Sequence, residues 1–169
     1  MSLVLRPPTV DDEEPLRALH AELLPEGFEV LLAEGTWSEI LAQVRREAEG
    51  TDLPEGRVPA DFLVAEVDGE IVGRVSIRHR LTPFLLAEGG HVGYAVAPAH
   101  RRRGHATEML RQSVARLAAL GVDRVLVTCD DDNLASARTI EANGGVLEDV
   151  VPTGPGRPAK RRYWIDASR

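Results

Sequence analysis

Three arginines, Arg101, Arg102 and Arg103, stand immediately before Gly104-His105-Ala106-Thr107, where an amphipathic helical pattern begins and a strand-like run, His91 to Val96, has just ended. The free N–H groups and aligned dipoles of a helix N-terminus are already positive, so each cation added there costs roughly 0.3–1 kcal/mol unless a counter-charge arrives. A bound phosphate supplies that counter-charge. Gly104 carries no Cβ, which lets such a group approach the backbone, and successive N–H groups from Arg102 to Thr107 can converge on its oxygens. For proton transfer the candidates are His91, whose intrinsic pKa lies near neutrality, and Glu88, on the loop just before that strand. Asp130, Asp131 and Asp132 either match the dipole of the helix that follows or attract a cationic substrate, and the dipole reading is the stronger. Cys129, on an apolar run, reads as small core packing rather than as a nucleophile.

The elements that must position these residues follow from periodicity. Leu3 to Arg6 is a short strand ended by Pro7-Pro8, and Leu16, Leu19 and Leu23 recur at helical spacing behind it. Thr36-Trp37-Ser38-Glu39 is a capping box opening a second helix with Trp37, Ile40, Leu41 and Val44 on one face. Phe62 to Val67, Asp68-Gly69 and Ile71 to Ile77 make a hairpin with a two-residue turn. The segment Arg80 to Gly90 interrupts the pattern and borders the fourth strand. The third helix turns Met109, Leu110, Val114, Leu117 and Leu120 inward and stops at Gly121. Val125 to Cys129 is a buried-type fifth strand. A fourth helix follows Asn133 with Leu134, Ala137 and Ile140 inward and closes at Gly144-Gly145. Val146 to Val151 and Arg161 to Ile165 end the chain as two strands around Pro152 to Ala159.

The whole chain bounds what these residues can do. Its 169 residues, 43% hydrophobic, suit one domain over 1–169 with a real core. A net charge of −7 sets the protein against nucleic acid and anionic membrane, so the arginine run is a local exception that favours a small anionic ligand. One cysteine excludes an internal disulfide, and no Cys/His spacing of zinc type occurs, so no metal is expected. With no 18-residue apolar run and no signal-like N-terminus, a soluble cytoplasmic protein is the expectation.

Taken together, the chain resembles the GNAT superfamily of acetyl-CoA-dependent N-acetyltransferases. The order β-α-α-β-β-β-α-β-α-β-β covers its length, and the family pattern Gln/Arg-x-x-Gly-x-Gly/Ala is met by Arg101-x-x-Gly104-x-Ala106. Tyr94-Ala95-Val96 and Val96-Ala97-Pro98 precede it, and Asn133 with Ser136 lies one strand later. Gly90-His91-Val92-Gly93-Tyr94 and Asn143-Gly144-Gly145 look like a group of mostly uncharacterised bacterial members. The resemblance implies an α/β fold of the α+β kind, a mixed sheet whose fourth and fifth strands splay apart. It implies a coenzyme site in which Arg101, Arg102, Arg103, Gly104, His105, Ala106 and Thr107 hold the pyrophosphate. The backbone of Tyr94, Ala95 and Val96 would pair with the pantetheine arm as an added strand does, and Asn133 and Ser136 would lie near that arm.

By the same resemblance, acetyl-CoA serves as acetyl donor and an amine, small-molecule or peptide, attacks the thioester directly. An amine of pKa ~10.4 costs about 4–5 kcal/mol to deprotonate at pH 7, whereas a thiol of pKa ~8.5 costs only about 2 to release as its anion, so the base matters more than the acid. Many members carry a proton-donating tyrosine seven residues after the asparagine; here that position is Ile140. The ribosomal-protein N-terminal acetylases carry a glutamate five residues before the asparagine; here that position is Thr128. A non-catalytic acyl-CoA sensor of the same fold is therefore the alternative. An RNA-binding module built on Arg101 to Arg103 with Lys160 to Arg162 is disfavoured by the acidic chain and its few aromatics. The acceptor is not identified from sequence, and a homodimer is compatible with it.

Overall fold

The computed structural model describes residues 2–168. Along the chain run β1 (Leu3–Arg6), α1 (Glu13–Leu23), α2 (Trp37–Glu49), β2 (Ala60–Val67), β3 (Glu70–Arg78), β4 (Val92–Val96), α3 (His105–Ala119), β5 (Arg124–Asp130), α4 (Leu134–Ala142), β6 (Val146–Val151) and β7 (Lys160–Asp166). This is the order read from periodicity. The Thr36 box forms as expected: Glu39 N–H donates to Thr36 Oγ1 at 3.2 Å and Thr36 N–H to Glu39 Oε2 at 2.8 Å. At the β2–β3 turn, Asp68 (φ 51°) and Gly69 (φ 81°) are both left-handed, the backbone that a two-residue hairpin loop demands.

The sheet departs from expectation in one respect. In place of a single mixed sheet there are two, ordered β1-β2-β3-β4 and β5-β7-β6, and every pairing within them is antiparallel. The splay of β4 from β5 is thus a complete parting. What joins the two sheets sits at the head of β4: His91 N–H donates to Leu126 C=O at 2.8 Å, and Leu126 N–H donates back to His91 Nδ1 at 2.9 Å. Gly90, at φ 67°, makes that approach possible, because a Cβ there would stand 2.8 Å from the Leu126 carbonyl oxygen.

Two apolar clusters flank the first sheet. One packs Met109, Leu110 and Leu117 of α3 and Ala137 and Ile140 of α4 against Val72, Val75, Val92 and Val96, and it continues into Val125, Val127 and Tyr163. The other packs Leu16, Leu19, Trp37 and Ile40 of α1 and α2 against Phe62, Val64 and Ala97 on the opposite face. Two residues expected inside are not: Leu120 is 53% and Leu134 52% exposed. Each lies at a helix end, Leu120 as the C-cap of α3 and Leu134 as the first residue of α4, where the inward stripe has run off the supporting surface. Among the described residues no helix is long and apolar enough to cross a membrane.

Candidate functional site

The turn from β4 into α3 is built to leave donors free. Arg102 holds a left-handed φ of 63° and Gly104 one of 82°, with ordinary residues beside them, an alternation that gathers successive N–H groups onto one side. The amides of Arg102 through Thr107 donate to no acceptor among the described residues, and Gly104 caps α3 without a side-chain bond. The strain of a left-handed arginine is the kind a ligand site stores. A Cβ added at Gly104 would meet nothing within 4 Å, so the space over the turn is open. From α4, Asn143 Nδ2 donates to Thr107 C=O at 3.2 Å and braces the first turn of α3. A cleft of ≈ 790 Å³ opens beside Arg103, Gly104 and His105 and extends over the β2–β3 hairpin.

Arg101 does a different job from the one expected of it. Its guanidinium grips both carboxylate oxygens of Glu26 at 3.0 and 2.7 Å and donates from Nε to the Val96 carbonyl at 3.2 Å. The pairing holds the Glu26 carboxyl below its ordinary range. Arg101 therefore ties the turn to the segment after α1, its charge already answered. Arg102 and Arg103 have no acidic partner among the described residues.

The edge of β4 that faces the parting is the second part of the site. Arg78 N–H reaches the His91 carbonyl and Ala97 N–H the Val72 carbonyl, each at 2.7 Å. Antiparallel alternation then commits the backbone of Gly93 and Ala95 to β3 and turns that of Tyr94 and Val96 toward the gap. Ala95, expected to contact a ligand through its backbone, is thereby spoken for. The Val96 carbonyl is taken by Arg101. Among the described residues, the groups left free along this edge include the N–H and C=O of Tyr94 and the N–H of Val96. Gly93, Tyr94 and Ala95 are only half-buried although Val92 and Val96 on either side are buried, as a groove along mid-strand requires.

Across the gap, the Tyr94 hydroxyl lies 2.8 Å from Ser136 Oγ on the first turn of α4. Burial, opposed by that hydrogen bond, pushes the Tyr94 phenol up to about 12, so it stays protonated. Asn133 caps α4, its Oδ1 accepting from Ser136 N–H at 3.1 Å, and it is exposed with its Nδ2 free to donate. Ile140 is fully buried in the α3–α4 cluster, so the position that carries a tyrosine in many GNAT members contributes packing here.

Neither proposed proton acceptor is free to act as one. His91 is 4% exposed; burial, aided by the Arg78 charge, lowers its pKa to about 4. Its Nδ1 accepts from Leu126, which fixes the proton on Nε2 and leaves no basic lone pair. It is a clamp between sheets. Glu88 pairs with Arg157 at 2.9 Å, tying the turn Leu85–Gly89 to the β6–β7 loop, while its carbonyl accepts from Thr128 Oγ1 at 2.5 Å. Two members of the acidic run are likewise engaged, Asp130 with Lys160 at 2.5 Å and Asp131 with Arg161 at 2.7 Å, whereas the Asp132 side chain has no partner among the described residues. Cys129 is buried, and burial raises its thiol pKa, as suits core packing.

Two residues the periodicity did not flag are Arg74 and Arg78. Both lie on the β3 face opposite α3 and α4. Arg74 is 3% exposed, donates to the carbonyls of Glu29, Val30 (2.9 Å) and Gly93 (3.5 Å), and lies over the rings of Phe28 and Phe62. Arg78 donates from Nη1 to the carbonyls of Gly89 (3.0 Å) and Gly90 (3.3 Å). Neither meets a carboxylate among the described residues. The signal available in the sequence was the alternation Arg74, Ser76, Arg78 within an otherwise apolar strand.

Comparison with known proteins places this geometry. The acetyltransferase (GNAT) domain family model matches residues 2–146. An uncharacterized N-acetyltransferase, YjdG of Bacillus subtilis, is 29% identical over 75 residues, 44% of this chain. That match spans only 40% of the relative's own length. Among solved structures, RimJ of Mycobacterium smegmatis in complex with CoA-disulfide superposes with a TM-score of 0.75 at 22% identity, over 98% of this chain and 82% of that one. Salmonella typhimurium yncA, a putative acetyltransferase with its cofactor acetyl-CoA, gives 0.68 at 16% identity, over 100% and 96%. The spermidine N-acetyltransferase of Vibrio cholerae in complex with CoA and spermine gives 0.69 at 16%, over 98% and 96%. At these identities the likeness is one of fold.

Proposed function

The chain belongs to the GNAT acetyltransferase family, and from that premise we propose that it moves an acetyl group from acetyl-CoA to a primary amine by direct attack on the thioester. The observation that carries the reading is the set of unbonded amides from Arg102 to Thr107, set in an open turn and continuous with the free edge of β4. Acetyl-CoA supplies an activated acetyl group and a thiol leaving group. The amides of the turn, with Arg102 and Arg103 around them, hold a diphosphate. The free groups of Tyr94 and the Val96 N–H align the amide-bearing arm as a further strand and give an N–H to polarise the thioester carbonyl. The Tyr94–Ser136 pair, protonated at neutral pH, stands in the gap to deliver a proton to the leaving sulfur.

The non-catalytic sensor keeps one observation in its favour: His91 and Glu88 are both engaged structurally, which leaves no obvious base. Two measurements separate the readings. Acetyl-CoA titration followed by calorimetry tests the cradle, and Gly104→Glu, which places a bulky negative side chain where the diphosphate belongs, abolishes binding if it is right. Unchanged affinity in that variant rejects the site. Thiol release across an amine panel then tests catalysis, and tight binding with no turnover on any amine establishes the sensor.

A further inference from the structure

Building on the acetyl-transfer reading, we infer that the acceptor amine carries an oxyanion, a carboxylate or a phosphate, and that Arg78 is the residue that recognises it. A coenzyme whose diphosphate is held at the turn and whose arm follows the free edge of β4 would run toward the start of the strand and bring its reacting end toward Gly93. Val92, Tyr94 and Val96 face the α3–α4 side. The opposite side, reached past Gly93 and Ala95, is where an acceptor comes to the thioester. The side chains of Arg74 and Arg78 converge there on Gly93. Arg74 Nη1 lies 3.5 Å from its carbonyl, and a Cβ added at Gly93 would stand 3.5 Å from both Nη1 and Nη2 of Arg78. Glycine at this position leaves the guanidinium uncovered.

The two arginines are not equivalent. Each nitrogen of Arg74 has a carbonyl partner, and the group is sealed beneath the segment after α1. It supplies charge without an available donor. Arg78 spends only Nη1, on Gly89 and Gly90, and its Nε and Nη2 have no acceptor among the described residues. That leaves one edge of a planar fork, the shape that takes two oxygens of a carboxylate or phosphate.

Among the described residues no acid is paired with this charge. Asp61, on the paired strand β2, is held by Arg116 and His79. Glu88 is held by Arg157, and Arg57, from the segment before β2, is itself paired with Glu47. His91, beside Arg78, is uncharged at neutral pH. Of the three acids that would suit a polyamine, Asp130 and Asp131 are neutralised by Lys160 and Arg161, and Asp132 stands just before the N-cap of α4, whose dipole it matches. The uncompensated charge on the acceptor side is positive.

The test compares matched acceptors that differ by the acid alone: β-alanine against propylamine, and O-phosphoethanolamine against ethanolamine. Thiol release and the thermal shift of CoA-saturated protein are read for wild type, Arg78→Gln and Arg78→Lys. Wild type is expected to favour at least one acid-bearing member by about tenfold or more in kcat/KM, or to be stabilised by it alone. The carboxylate and phosphate arms report which oxyanion fits. Arg78→Gln is expected to lose the preference and Arg78→Lys to retain part of it, with acetyl-CoA affinity unchanged in both. Preference for the neutral members, no response to either acid, or selectivity that survives Arg78→Gln overturns the inference while leaving the coenzyme site intact. Failure of wild type to bind acetyl-CoA removes the acetyl-transfer reading and this one with it.

Discussion

The hydroxyl of Tyr94 and that of Ser136, 2.8 Å apart, form a bridge from β4 to α4 across the gap where the two sheets part. The chain thereby places a protonated phenol from the strand side in that gap, whereas many GNAT members carry a tyrosine on the helix. The helix position is Ile140, fully buried, and cannot serve. Phenol and serine together give a donor and a relay at one site.

Tyr94→Phe removes that donor with little change in shape. Releasing a thiol of pKa ~8.5 as its anion at pH 7 costs only about 2 kcal/mol, so the expected fall in kcat is at most about 30-fold. The affinity for acetyl-CoA should hold. A loss confined to binding, with kcat intact, would assign the hydroxyl a purely structural part.

The arginine run divides by function, and salt exposes the division. Arg101 is committed to Glu26 and the Val96 carbonyl, whereas Arg102 and Arg103 have no acidic partner among the described residues. Arg102→Ala and Arg103→Ala should each weaken acetyl-CoA binding severalfold and flatten its dependence on ionic strength. Arg101→Ala should weaken it through a loosened turn while leaving the salt dependence near that of wild type. Equal flattening in all three would mean that Arg101 leaves Glu26 for the ligand.

The difference between Arg101 and its neighbours shows where sequence reading stops. The anion-binding turn was legible because its cause is local: glycine, helix start and cation cluster lie within seven residues. The capping box at Thr36 and the Asp68-Gly69 hairpin were legible for the same reason. The partners that reassign Arg101 and Glu88 lie 75 and 69 residues away, beyond any periodicity. His91 was misread because its neutrality depends on a Leu126 amide delivered from another sheet. The parting of β4 from β5 was expected only through the family resemblance, and apolar patterning gave no hint that it would divide one sheet into two. Arg74 and Arg78 were overlooked because a charge on a central strand acquires meaning only when the groups across from it are known.

The His91 clamp has a pH signature. Its pKa falls from 6.5 to about 4 on folding, so between those values the unfolded chain binds a proton that the native state refuses. Stability from this group is complete above pH 6.5 and is lost as pH falls toward 4. In His91→Ala the Leu126 N–H is left without its acceptor, which costs about 1–3 kcal/mol at neutral pH. Thermal melts should therefore show a lower Tm for the variant at pH 7 and a shallower decline from pH 6.5 to 4. A decline as steep as that of wild type would place the titrating group elsewhere.

If Arg78 binds the acceptor, the same charges also bear on the missing base. An amine whose own acid is paired with Arg78, and which lies near Arg74, a cation held only by carbonyls, is disfavoured in its ammonium form, so its pKa drops on binding and part of the 4–5 kcal/mol needed at pH 7 (~10.4 against 7) is met without any side chain accepting the proton. The proton leaves to water. On this account Glu88→Gln and Arg157→Ala, which break one loop-to-loop pair from either end, should affect kcat alike. The kcat of wild type on an acid-bearing amine should rise with pH to a plateau whose apparent pKa lies below that of the free amine. In Arg78→Gln the rise should move to higher pH, since one of the two charges is gone. A collapse confined to Glu88→Gln, with the profile of Arg78→Gln unmoved, would identify Glu88 as the base and reduce the arginines to recognition alone.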